Sequence, residues 1–176
     1  MSNAYVLPAP PQPAVPVADQ DSHFPVRRIF CVGRNYADHV REMGGDPSDT
    51  SPVFFTKPAD ALVNVDHSGD QSATYPPCTV DYHHEVELVI ALARGGRNIP
   101  KEQALTAVYG YAVGIDFTRR DIQREAAAAG QPWDMAKGFD ESAILGAIRH
   151  LPGQDYRDGM IKLSVDGAPR QHAPLA

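Results

Sequence analysis

Cysteine is scarce in this chain, with only Cys31 and Cys78 among 176 residues. No CxxC spacing links them, so the sequence encodes no disulfide framework. Cys31, inside Ile-Phe-Cys-Val, reads as a small buried hydrophobe. Positive charge is also short: 16 Lys and Arg face 22 Asp and Glu, a net charge of −6. That sign argues against binding by neutralisation of phosphates, and no nucleic-acid partner is expected. No apolar run approaches the ~20 residues of a membrane span, and the N-terminus lacks the basic start and apolar middle of a signal peptide. No membrane partner is expected, and the expected location is cytoplasmic. Neither GxGxxG nor GxxxxGK[ST] occurs, and no repeat of 20–50 residues is present. A nucleotide-binding α/β fold and a solenoid are therefore both unsupported.

What is present is a chain long enough for one domain, with 43% hydrophobic residues. Residues 1–22 carry Pro8, Pro10, Pro11, Pro13 and Pro16, which predicts an extended arm laid on the surface or a loose tail. The main domain is expected over 23–176. Strands are predicted at 27–33, 52–57, 61–65, 83–92 and 111–117, and a hairpin over 161–171 turns on Asp166-Gly167. Helices are predicted at 35–45, with Asn35 as N-cap, and at 99–110, with Pro100 at the first position. A third is predicted at 118–130, with Thr118 and Asp121 as a capping-box variant and Gly130 as stop. Strands outnumber helices, so the fold class is mixed and mainly β.

The stretch "HHEVELVIAL" poses the chemical problem. Glu85 and Glu87 share a strand face ~7 Å apart, while the second half of the strand is apolar on both sides and calls for cover on both faces. Two ionised carboxylates leaning to ~5 Å repel by roughly 3 kcal/mol at an effective dielectric of 20, before the cost of desolvation. Either that face is wet or a cation joins the two acids. Asp116, ending another apolar strand, is available as a third acid. Three carboxylates suit a hard cation, Mg²⁺ or Mn²⁺, before Zn²⁺. His83 shares the parity of the glutamates and reads first as a surface residue at the strand entry. His39 and Glu42, three apart on the 35–45 helix, can form a base and its orienting carboxylate, or can simply decorate a solvated face. Arg120 and Gln123, also three apart, and Lys137 in "WDMAKGFD" are open to the same two readings.

The segments "FCVGRNYADHVREMG", "FFTKPADALV", "HHEVELVIAL", "VYGYAVGIDFTRRDIQ" and "PWDMAKGFDESAILG" follow one another in an order and spacing that resemble the fumarylacetoacetate hydrolase family. The likeness spans Phe24 to Gln171 and is strongest to the acylpyruvate and fumarylpyruvate hydrolase branch. The resemblance implies a mixed β-sandwich roll with short helices, assembled as a homodimer and holding Mg²⁺ or Mn²⁺ on Glu85, Glu87 and Asp116. Its substrates are small 2-oxo acids with a second carbonyl, fumarylpyruvate foremost. His39, held by Glu42, is implied as the base that activates water, and Lys137 as a stabiliser of the enolate. Arg120, Gln123 and Lys57 are implied to line the substrate site, and the His39 helix to act as a lid. Oxaloacetate decarboxylation or keto–enol isomerisation at the same site, and a non-catalytic paralogue, are the alternatives. Family members continue past the hairpin with strands and a loop that close the substrate site, so the C-terminal part of the family domain is expected to be absent here. A chain ending at Ala176 is then expected to bind metal weakly and turn over slowly.

Overall fold

The computed structural model describes residues 5–33, 35, 52–65 and 69–175. The central element is the pairing of β6 (Tyr82–Leu92) with β7 (Val108–Arg119), antiparallel from Tyr82 opposite Arg119 to Leu92 opposite Val108. Valine, isoleucine and aromatic residues make up half of β7 and recur along β6, as a pleated and half-buried surface favours. The pair lies in a mixed sheet ordered β5-β8-β7-β6, in which β5 (Leu62–Asn64) runs parallel to β8 (Ala143–Leu145). A short β9 (Arg149–His150) adds to the start of β7.

Three two-stranded ladders complete the β structure: β1 (Ala14–Pro16) with β2 (His23–Pro25), β3 (Ile29–Gly33) with β4 (Val53–Lys57), and β10 (Met160–Val165) with β11 (Ala168–Pro174). Helix is confined to α1 (Arg120–Ala128), α2 (Asp134–Lys137) and two 3₁₀ turns among the described residues. The mixed, mainly β class expected from the sequence is the class observed.

The core joins Val15, Val26, Ala91, Ala112, Ala143, Leu145 and Ile148. The Pro-rich arm is extended as expected, but it enters the core: Val15 is 0% exposed and Val17 1%. Its proline-free positions make this possible, because Val17 N–H donates to Ser22 O and Ala18 N–H to Ile148 O. The hairpin at 161–171 is confirmed, with Asp166 and Gly167 at φ 51° and 77°, the left-handed values a two-residue turn needs.

Two helix predictions require correction. Residues 101–107 form a 3₁₀ turn, and the strand begins at Val108, so 99–110 is not an α-helix. Val108 and Tyr109 favour extended backbone, and the ladder to β6 rewards it. Further along, β7 continues through Arg119, α1 starts at Arg120, and no side chain caps it. Thr118 is therefore a strand residue, and Asp121 instead accepts hydrogen bonds from Thr79 Oγ1 (2.6 Å) and Val80 N (2.8 Å). The predicted stop holds: Gly130 follows the helix at φ 64°.

The cover expected over both faces of "LVIAL" is also absent among the described residues. Val89 and Ala91 face the core, whereas Ile90 and Leu92 are more than half exposed, as is Val113 beside Leu88.

Candidate active site

Strand parity builds the site. Glu85 lies directly opposite Asp116, His83 opposite Thr118, and Glu87 opposite Gly114, so three acids and a threonine share one face of the β6–β7 ladder. The inner face of the β3–β4 pair, carrying Cys31, Phe55 and Lys57, lies on the same side as these acids. Helix α2 brings in Lys137 and α1 brings in Arg120 and Gln123.

The carboxylates meet cations. Asp116 receives Lys57 Nζ at 2.8 Å on Oδ1 and Lys137 Nζ at 2.9 Å on Oδ2. Glu85 receives Lys137 Nζ at 2.7 Å on Oε2 and pairs through Oε1 with the Arg120 guanidinium. All these groups are shielded: side-chain exposure is 1% for Lys57, 3% for Lys137, 7% for Arg120, 9% for Asp116 and 16% for Glu85. Lys137 spends its third N–H on Thr118 Oγ1 at 2.6 Å. Lys57 donates to the main-chain carbonyls of Phe117, at 3.0 Å, and of Lys137. Arg120 also donates to the Gln123 side-chain oxygen, and its Nε lies 3.4 Å from Nδ1 of His83.

These contacts fix the electrostatics. Burial opposes ionisation of Glu85, yet Lys137 and Arg120 together hold its carboxyl below the usual range. Burial lowers Lys57, with Asp116 working against that shift. Burial is also the main cause that pushes the Cys31 thiol up to about 12, so it is the inert small hydrophobe expected.

The structure therefore assembles Glu85, Asp116, Lys57, Lys137, Arg120 and Gln123, and it places Glu87 two residues along the same face of β6. His39 and Glu42 lie outside the described residues, as does most of the 35–45 segment. The compact ligand triad expected of Glu85, Glu87 and Asp116 is not drawn together: no three His, Cys, Asp or Glu side chains among the described residues converge on one point. The reason is visible, since the oxygens of Glu85 and Asp116 are turned to ammonium and guanidinium groups. Lys57, expected at the substrate, is committed to Asp116 and two carbonyls. Clefts of a few hundred Å³ lie by Ala18 and His150 and by Arg28 and Asp134, and neither is lined by Glu85 or Asp116.

Thr118 is the site residue that sequence reading missed. Its signal was parity with Asp116, visible once the strand is allowed to run two residues further.

The residues fit a hard divalent cation. The donor set is all oxygen, and Asp116 Oδ1, although buried against Lys57, accepts no well-directed hydrogen bond among the described residues. A family model described as "Fumarylacetoacetate (FAA) hydrolase C-terminal" matches residues 28–176.

The chain belongs to the fumarylacetoacetate hydrolase family.

Relatives within the family are named for more than one reaction. The oxaloacetate tautomerase of Escherichia coli K12 is 36% identical over 157 residues, covering 87% of this chain and 68% of its own. The fumarylpyruvate hydrolase of a Ralstonia species is 39% identical over 126 residues, covering 72% and 64%. Among solved structures, the fumarylpyruvate hydrolase of Pseudomonas aeruginosa in complex with Mn²⁺ and pyruvate matches with a TM-score of 0.94 and 44% identity, over 97% of this chain and 73% of that one. This chain thus spans about two thirds of the length of the curated family members it matches.

Proposed function

We propose that the chain serves hydrolysis of a carbon–carbon bond in a 2,4-dioxo acid, fumarylpyruvate to fumarate and pyruvate, with Mg²⁺ or Mn²⁺ held by Glu85, Glu87 and Asp116. The observation that carries this reading is the buried register of Glu85 against Asp116, ringed by Lys137, Arg120 and Gln123. The fumarylpyruvate hydrolase complex with Mn²⁺ and pyruvate supports the choice of substrate class.

When bound, the cation supplies Lewis acidity toward the carboxylate and 2-oxo group of the substrate. Water adds to the remote carbonyl, with His39 taking its proton and Glu42 orienting the imidazole. The bond between that carbonyl and the pyruvyl methylene breaks, its electron pair passes into the pyruvate enolate, and a proton returned to carbon gives pyruvate. Lys137 is the donor to the developing enolate oxygen, worth about 3 kcal/mol if it acts like other preorganised donors. Arg120 and Gln123 hold the carboxylate end. A cytoplasmic homodimer completes the proposal.

Oxaloacetate tautomerisation is the second reading, because relatives of that name match over most of the chain and the same enolate charge would need stabilising. Purified protein with Mn²⁺ separates the two. The first reading predicts loss of the fumarylpyruvate dienol absorbance with stoichiometric pyruvate, whereas enol–keto conversion of oxaloacetate with fumarylpyruvate inert would replace it.

A further inference from the structure

The two buried lysines hold Asp116 in different ways. Lys57 is anchored to backbone: besides Asp116, its N–H groups reach the carbonyls of Phe117 and Lys137, which cannot move without the strand or helix moving. Among the described residues the Lys137 ammonium is bound to side chains alone, Glu85 at 2.7 Å, Asp116 at 2.9 Å and Thr118 at 2.6 Å. Its ammonium therefore sits where one cation can touch a carboxylate oxygen of both acids at once. The carbonyl of Lys137 is meanwhile pinned by Lys57, so the side chain can swing while its own backbone stays fixed.

The geometry points to Lys137 as an internal place-holder for the divalent cation, occupying the bridge between Glu85 and Asp116 and released from it when metal enters. This inference rests on the metal reading given above. A dication and an ammonium compete for the same oxygens and repel each other at this range. The exchange has a functional consequence. Two of the three Lys137 N–H donors become free only when the bridge is taken, with Thr118 retaining the third. Lys137 then changes from counter-ion to donor for an anionic substrate, and the donor is exposed only in the metal-loaded protein. Lys57 has the opposite role, a positioning residue that keeps Asp116 aimed at the site whether or not metal is present.

The two lysines thus predict effects of different size on metal affinity, the larger at Lys137 because it alone bridges both acids. Calorimetric titration with Mn²⁺ and thermal melts with and without Mn²⁺ read this out without any assay of turnover. Lys137→Met should bind Mn²⁺ roughly tenfold or more tightly than wild type and gain more melting temperature from it, and Lys137→Gln should follow the same direction. Lys57→Met, which takes an ammonium from Asp116 without opening the bridge to Glu85, should gain less Mn²⁺ affinity than Lys137→Met. Should Lys57→Met fail to fold, the two Lys137 variants decide alone. Equal or weaker Mn²⁺ binding by both Lys137 variants, with wild type binding normally, overturns the place-holder. No uptake by wild type or by either Lys137 variant removes the metal reading itself, and the place-holder with it.

Discussion

Asp116 shows how much one carboxylate can organise. Two buried ammonium groups meet its two oxygens, and the strand partner Glu85 shares one of them. Such a cluster survives burial only because every charge has an opposite neighbour, and removing one partner typically costs 3–5 kcal/mol. A second carboxylate, Asp121, marks where sequence reading went astray at this scale. Taken as part of a helix cap, it instead ties α1 to the loop before β6, and its hydrogen bond from Thr79, then that from Val80, lower its pKa to about 2. The folded chain therefore binds this proton more weakly than the unfolded chain does. The resulting stability is full above the ordinary carboxylate value and disappears as pH falls through about 2. Thr79→Val should move the Asp121 titration upward, toward the ordinary value, in carboxyl-resolved NMR. An unchanged titration would mean that the Thr79 contact is absent in solution.

At the scale of elements, legibility followed periodicity. The alternation of "HHEVELVIAL" and the Asp-Gly turn place side chains by a two-residue period that needs no tertiary knowledge, and both were read correctly. The 99–110 segment was misread because Ala104, Leu105 and Val108 fit a helical stripe as well as a turn entering a strand, and only the ladder to β6 decides between them. Partner backbone also explains glycines that pattern cannot. A Cβ at Gly110 would stand 2.0 Å from Arg149 O, so this strand residue is required for the close approach of β9 to β7. Gly110→Ala should destabilise the fold by about 3 kcal/mol in urea denaturation. A loss under 1 kcal/mol would show that β9 detaches easily.

For the whole molecule, the placement of the site was legible, while its internal bonding was not. Glu85, Asp116, Lys137, Arg120 and Gln123 come from three separate motifs, yet the fold brings them into one buried cluster, as the order of those motifs implied. What the sequence could not convey is that Lys57 turns inward to carbonyls and that Lys137 bridges the acids. Both follow from the way β4 and α2 pack over the ladder rather than from any local spacing. The arm is a similar case, since five prolines announced an extended backbone but not that Val15 and Val17 would be sealed in the core. Titration of Mn²⁺ by electron paramagnetic resonance reads out whether this cluster holds a metal ion. One ion per chain is predicted, with affinity lowered roughly a hundredfold or more in Asp116→Asn, the change expected when a charged oxygen ligand is lost. Equal binding by wild type and Asp116→Asn would mean that the ion does not sit on Asp116.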